Sequence, residues 1–318
     1  MLPVTPPRIL VVGAMRSGKS TVAGALGLLD GVEVVEEPDN PLSRPFAFRV
    51  KRGLGQRYFP LLPPGEPAPE YELLWRHAVG AASGGGRRFS TRERVQRRVA
   101  WKLLLDAGGN AVLPAVSGAR GAPLGWRLYV VGALAVPERP QRATAHVLVT
   151  ANEPLAAEWV AERVDAAVVV VMRDPLALLS SWAQLGWLGR AGHDMLDELD
   201  PRAAAAGAEA VGVPVPAPGS RPLLRAAWLA GLLTWHLRAA ARRNPAWNAV
   251  SFEELTEEPV ERLQELAEAL GLIWRDGAAD GLLARPPALL PGEPDAVGPW
   301  PAAEALAEAR ALLAAFPR

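Results

Sequence analysis

Short apolar runs alternate with longer stretches of helical periodicity along most of this chain. Ile9–Val12, Val32–Val35, His146–Thr150, Ala167–Met172 and Asn248–Ser251 read as strands. The run Val168–Val171 has no polar face, the pattern of a strand covered on both sides. Helical spacing predicts helices from Lys19 to about Leu28, over Tyr71–Ala82, Thr91–Asp106 and Pro154–Arg163, and from Pro175 to about Leu185. Further helices are predicted over Arg221–Arg243, over Glu258–Leu270 with Gly271 as its stop, and over Ala302–Ala315 at the surface. Pro38 and Pro41 end the second strand in a polar loop, Pro60 to Pro69 is a proline-rich connection, and Ser83–Gly86 separates two helices. Residues 107–145 are punctuated by Gly and Pro. Residues 186–220, with Ala203–Ala206 and the prolines at 214, 216 and 218, read as a mobile excursion or lid.

Strands alternating with helices imply an α/β fold, a three-layer sandwich with a mostly parallel central sheet. The 318 residues are expected to form a single domain, with a helical insertion at about 51–145. Ligands of such sheets bind beyond the carboxyl ends of the strands.

The first strand runs directly into Gly13-Ala14-Met15-Arg16-Ser17-Gly18-Lys19-Ser20-Thr21. Gly13, Gly18, Lys19 and Ser20 fit the P-loop pattern G-x-x-x-x-G-K-[ST], in the strand–loop–helix setting that the pattern requires. Its glycines let the backbone curl so that N–H groups point at an anion, and the following helix adds its positive end. Arg16 and Lys19 supply full charges. The fold expectation is thus P-loop NTPase-like, and the open question is which anion the loop holds.

Composition narrows the classes. Thirty-four basic residues balance thirty-four acidic ones, so nothing demands nucleic acid or an anionic membrane. No apolar run reaches spanning length; Gly125–Pro137 is too short and carries Arg127. The first residues lack the regions of a signal peptide, and a cytoplasmic protein is expected. Without cysteine there is no disulfide or thiol chemistry, and His77, His146, His193 and His236 lack metal-ligand spacing. Lys19, Lys51 and Lys102 are the only lysines against 31 arginines, a bias that fits a GC-rich bacterial genome and makes the P-loop lysine more notable.

A second anion site is written after the valine strand. Arg173 leaves its carboxyl end, on the same side of the sheet as the P-loop, and Ser181 follows eight residues later on the next helix. A guanidinium fork with a hydroxyl donor suits a terminal phosphate monoester.

Together the segments resemble the sulfotransferases that use 3′-phosphoadenosine 5′-phosphosulfate (PAPS). Arg16-Ser17-Gly18-Lys19-Ser20 matches that family's 5′-phosphosulfate loop, and Arg173-Asp174-Pro175 with Ser181 matches its 3′-phosphate site. Val250-Ser251-Phe252-Glu253-Glu254-Leu255 through Pro259 and Leu270-Gly271-Leu272 is similar to its bracing strand–helix segment. The resemblance covers about residues 8–40 and 146–275. Lys19 departs from it, standing where the family usually has Thr, and Met172 and Phe252 are conservative changes. Thr150-Ala151-Asn152-Glu153 occupies the place of the family's lysine and histidine.

The resemblance implies PAPS as donor, PAP as product, and a small-molecule, sugar, lipid or peptide hydroxyl as acceptor. Arg16, Ser17, Gly18, Lys19, Ser20, Thr21, Arg173 and Ser181 would hold the donor. Arg16 and Lys19 would stabilise charge on the leaving phosphate, so that a magnesium ion is not needed. For the base, Glu37 just past the second strand is best placed, with that strand taken as the neighbour of the P-loop strand. It lies 21 positions after Arg16, as does the base of the protein-tyrosine sulfotransferase branch. The carboxylate would stay ionised among Arg16, Lys19 and Arg44. Glu153 is the second candidate. Arg49, Lys51, Arg52 and Arg57 read as a solvated basic face before a rim near the phosphates, Trp182 and Trp187 as core before the lining of an acceptor pocket, and Trp228 and Trp235 as core. Two other readings remain at this level: a P-loop kinase or nucleotide hydrolase using Mg-ATP with Asp174 on the metal, and a non-catalytic nucleotide-binding protein of the same fold.

Overall fold

Each apolar run read as a strand forms one, and together the five make a single parallel sheet. They are β1 (Arg8–Val12), β2 (Val32–Val35), β3 (His146–Ala151), β4 (Ala166–Met172) and β5 (Asn248–Ser251), in the spatial order β2-β3-β1-β4-β5. The computed structural model describes residues 8–41, 43–55, 58–80, 146–151, 153–188, 196–197, 199–275 and 303–317. The register is continuous: Arg8–Val12 pairs with Val147–Ala151 on one side and with Ala166–Val170 on the other.

Period-two alternation sends the two halves of each strand to different cores. Ile9, Val11, Leu148, Val169 and Val171 pack with α1 (Lys19–Leu26) on one face. Leu10, Val12, Val147, Val149, Val168 and Val170 pack on the other face. That second face is covered by α2 (Pro45–Gly53), α3 (Pro69–Ala78) and α4 (Ala157–Val164), the last entered by a 3₁₀ turn at Pro154–Ala156. The result is the expected three-layer sandwich.

A third core lies beside the sheet. It joins α5 (Pro175–Gln184), α6 (Pro201–Val211), α7 (Pro222–Arg243) and, near the end of the chain, α10 (Ala303–Ala314). The first sheet face is completed by α8 (Phe252–Glu257) and α9 (Pro259–Ala269). Local chemistry explains several starts. Asp174 caps α5, accepting from the N–H groups of Leu176 and Ala177, and Asp200 caps α6 through the N–H of Arg202. Both caps are followed by a proline at the first helical position.

Two expectations are corrected, and one helix is new. The second strand is not the neighbour of the P-loop strand, because β3 pairs between them. Residues 201–211 are not a disordered excursion: Ala203, Gly207 and Val211 are buried, with Gly207 packed on Leu232. The helix α2, unread in the sequence, turns Phe46, Ala47, Val50 and Lys51 inward. The predicted helix over Thr91–Asp106, the break at 83–86, the reading of 107–145 and His193 lie outside the described residues.

Candidate active site

The topology makes β1 the switch point of the sheet, since the chain goes to one side for β2 and β3 and to the other for β4 and β5. The P-loop leaves β1 there. Gly13 is required by close approach: a Cβ would collide with Ser17 Oγ and come 2.8 Å from the Val171 carbonyl. Gly18 combines a φ of 95° with contact against the Phe252 ring, which a Cβ would enter. Arg16 also takes a left-handed φ, 68°.

Three successive loop carbonyls are occupied, one by the turn itself and two from outside it. Ser17 N donates to the Ala14 carbonyl at 3.0 Å, Trp182 Nε1 to the Met15 carbonyl at 3.0 Å, and Arg173 Nη1 to the Arg16 carbonyl at 2.9 Å. The loop is therefore held from α5 and from the end of β4. At the start of α1 no side chain caps the N–H groups and the first turn has no acid. That end is left with its positive character.

Arg16, Arg173 and Ser181 meet at this place. Arg16 Nε donates to Ser181 Oγ at 3.0 Å, and the Arg173 guanidinium stacks over Phe252, 4.8 Å from the ring centroid. Among the described residues neither arginine has a carboxylate within ion-pair distance. Partial burial disfavours the charged form of Arg173, Glu253 favours it, and Arg16 adds like-charge repulsion, with a net downward shift. An anion would relieve that stress. Arg173 Nε is buried without a partner, as is Ser17 Oγ on a side chain only 1 % exposed. The sequence suggests two separate cationic pockets; the structure joins them through the Arg16–Ser181 bond. Ser20 is exposed at the mouth of the loop and Thr21 is half-buried.

Across the loop stands Glu37. Its Oε1 lies 3.1 Å from Lys19 Nζ, and Asn40 Nδ2 donates to its Oε2 at 2.8 Å. Its backbone is left-handed (φ 41°), and its N–H donates to Thr150 Oγ1 at 3.0 Å. The Thr150 bond carries Glu37 past the intervening β3 and over to the P-loop. Burial pushes the carboxyl up, but the Lys19 charge and the Asn40 bond outweigh it, so the net shift is downward and Glu37 is ionised. Arg44 Nη2 donates to the Glu36 carbonyl, and Arg16 Nε to Ser181 Oγ.

Glu153, the second candidate base, is only 1 % exposed. It accepts from Lys51 Nζ, which also lies 3.2 Å from Asp39 Oδ2, and Tyr71 OH donates to that same oxygen at 2.9 Å. Lys51 is thus not on a solvated face, and Asp39 is not a loop acid in water. Trp182 and Trp228 are core as expected, and Trp182 also anchors the loop. The contacts of Thr150, Phe252 and the Trp182 indole had no signal in the sequence, because each is made with a partner far along the chain. No helix among the described residues is long and apolar enough to cross a membrane.

No family model matches the chain, and no characterised protein matches it by sequence. Solved structures to which the fold is similar include sulfotransferases. The sulfotransferase domain from the curacin biosynthetic pathway is 11% identical, with 86% of this chain and 76% of that one covered at a TM-score of 0.40. A sulfotransferase from Alicyclobacillus acidocaldarius is 13% identical, with 98% and 97% covered and a TM-score of 0.37. One from Mycobacterium tuberculosis is 16% identical, with 90% and 73% covered and a TM-score of 0.39. At similarities of this size, the weight falls on the site residues themselves.

Proposed function

We propose that this protein is a sulfotransferase that moves the sulfuryl group of PAPS to the hydroxyl of an acceptor. The observation that carries this reading is the convergence of Arg16, Arg173 and Ser181 beside a P-loop whose lysine faces a carboxylate. PAPS fits the groups present. The uncapped start of α1, Lys19 and the orphaned Ser17 hydroxyl suit its 5′-phosphosulfate, and Arg173 with Ser181 suits its 3′-phosphate.

Bound there, PAPS would supply an activated sulfuryl group with a bisphosphate leaving group. The chain's part is placement and charge. Arg16, Lys19, Ser20, Thr21 and the loop N–H groups balance the negative charge that grows on the departing phosphate oxygen. Glu37 takes the acceptor's proton onto its carboxylate as the acceptor oxygen bonds to sulfur. Glu153 cannot do this, because it is buried and bonded to Lys51.

Lys19 completes a nucleotide-type P-loop, which raises ATP chemistry as a rival. One observation counts against it: the Asp174 carboxylate caps α5 rather than facing the loop. The acceptor is a hydroxyl of a small molecule, sugar, lipid or peptide. The test is PAP release from PAPS over a panel of alcohols and phenols, wild type beside Glu37→Gln. Acceptor-dependent release by wild type alone supports the reading. Donor binding without transfer to any acceptor would leave a nucleotide-binding protein.

A further inference from the structure

The turn that carries Glu37 is gripped by ionisable side chains that the proposed chemistry leaves unused. Asp39 lies two residues beyond Glu37, Lys51 is on α2, Tyr71 on α3, and Glu153 follows β3. None is more than 1 % exposed. Lys51 reaches both carboxyl groups, and Tyr71 donates to Asp39. With both acids ionised, one ammonium would face two charges and leave a net negative charge in the core, which is strongly disfavoured.

The hydrogen-bond inventory indicates how this is avoided. Lys51 Nζ contacts both the Asp39 and the Glu153 carboxyl groups, which brings the two acids side by side. Each has one oxygen, Asp39 Oδ1 and Glu153 Oε2, with no other donor among the described residues. Two acceptors can bond to each other only across a proton. We propose that Asp39 and Glu153 share one proton in a neutral cluster with Lys51 and Tyr71, and that this cluster positions the turn bearing Glu37. Glu153 is accordingly a positioning residue.

Burial pushes both acids up, but they divide. The Lys51 charge and hydrogen bonds bring Asp39 below its ordinary value, whereas Glu153, also facing the Asp39 charge, stays well above its own. Among the described residues Asp39 Oδ2 also has the Tyr71 donor beside Lys51, whereas Glu153 has Lys51 alone, and this places the shared proton on Glu153. Lys51 and Asp39 are the ionisable groups acting on it, with Tyr71 joined through Asp39. The link to the site is short. Glu37 N–H donates to Thr150, three residues before Glu153, and Asp39 meets Glu153 through Lys51, so β3 and its exit hold the 37–39 turn at both ends. The catalytic consequence rests on Glu37 being the base; the shared proton does not.

Glu153→Gln keeps a donor for Asp39 and an acceptor for Lys51 but cannot ionise. Glu153 stabilises fully below its unfolded pKa, and that contribution is lost as pH rises toward the folded value. Relative to Glu153→Gln, the wild-type Tm is therefore expected to fall as pH goes from about 5 to about 9. In PAP-release assays Glu153→Gln should keep turnover within about twofold. Glu153→Ala should lose about tenfold or more while PAP affinity stays within about twofold, since it moves the base and not the donor site. A Tm difference that does not change with pH, or equal impairment by Gln and Ala, would overturn the proposal. If wild type transfers no sulfuryl group, the base assignment fails alone, because the Tm comparison still decides whether the proton is shared. That comparison needs only the isosteric variant, so a misfolded Glu153→Ala leaves it intact.

Discussion

Lys19 Nζ and Glu37 Oε1 lie 3.1 Å apart, so the P-loop lysine and the proposed base form an ion pair before any donor is bound. The pair keeps the carboxylate ionised and also weakens it as a base. Phosphate oxygens of a donor compete for the same ammonium, and a lysine drawn toward them leaves Glu37 more basic when the acceptor arrives. Lys19→Ala should thus weaken PAP binding by about tenfold or more. It should also shift the acidic limb of the kcat/KM profile to higher pH, since Glu37 without its cation stays protonated further up the scale. An unmoved acidic limb would show that this pair does not set the protonation of the base.

Glu37→Gln preserves shape and the Asn40 contact but cannot accept a proton. Turnover should drop by about a hundredfold or more with PAP affinity nearly unchanged. Retained turnover would remove Glu37 from the role.

Arg173 and Ser181 are assigned to the 3′-phosphate, so their loss should discriminate between ligands. Arg173→Ala is expected to weaken 3′,5′-adenosine bisphosphate by about tenfold or more, and Ser181→Ala by about fivefold. Adenosine 5′-phosphate should lose less in each case, the loss at Arg173 being its brace on the Arg16 carbonyl. Equal losses for both nucleotides would cancel the assignment.

The five strands were legible because burial on both faces demands unbroken apolar runs, as in Val168–Val171. The P-loop and the Arg173–Ser181 spacing were legible because a strand end and the following helix fix their geometry locally. The order of the strands was not, and nothing in Val32–Val35 says that β3 will pair between it and β1. Lys51 shows the other limit. On α2 beside Arg49 and Arg52 it reads as part of a solvated basic stripe, yet its counterions Asp39 and Glu153 come from two distant strand ends and carry it into the core. Glu153 misled for the same reason: its place in the sequence matches a base segment, and its burial is decided by α2 and α3.

His236 gives a check away from the site. Burial, with Arg243 nearby and Glu158 opposing, lowers its pKa from 6.5 to about 4. A depressed histidine contributes stability that is complete above its unfolded value and lost as pH falls toward the folded one. The wild-type Tm should decline between about pH 6.5 and 4 more steeply than that of His236→Gln. Parallel curves would assign the acid sensitivity elsewhere.

The central claim, that this P-loop serves a donor with a 3′-phosphate, is tested most directly by calorimetric titration. Wild-type protein would be titrated with 3′,5′-adenosine bisphosphate in the absence of divalent metal and, separately, with Mg-ATP. A site built from Arg16, Lys19, Arg173 and Ser181 binds the bisphosphate tightly without metal and prefers it to Mg-ATP. Tight Mg-ATP binding with none of the bisphosphate would contradict the claim.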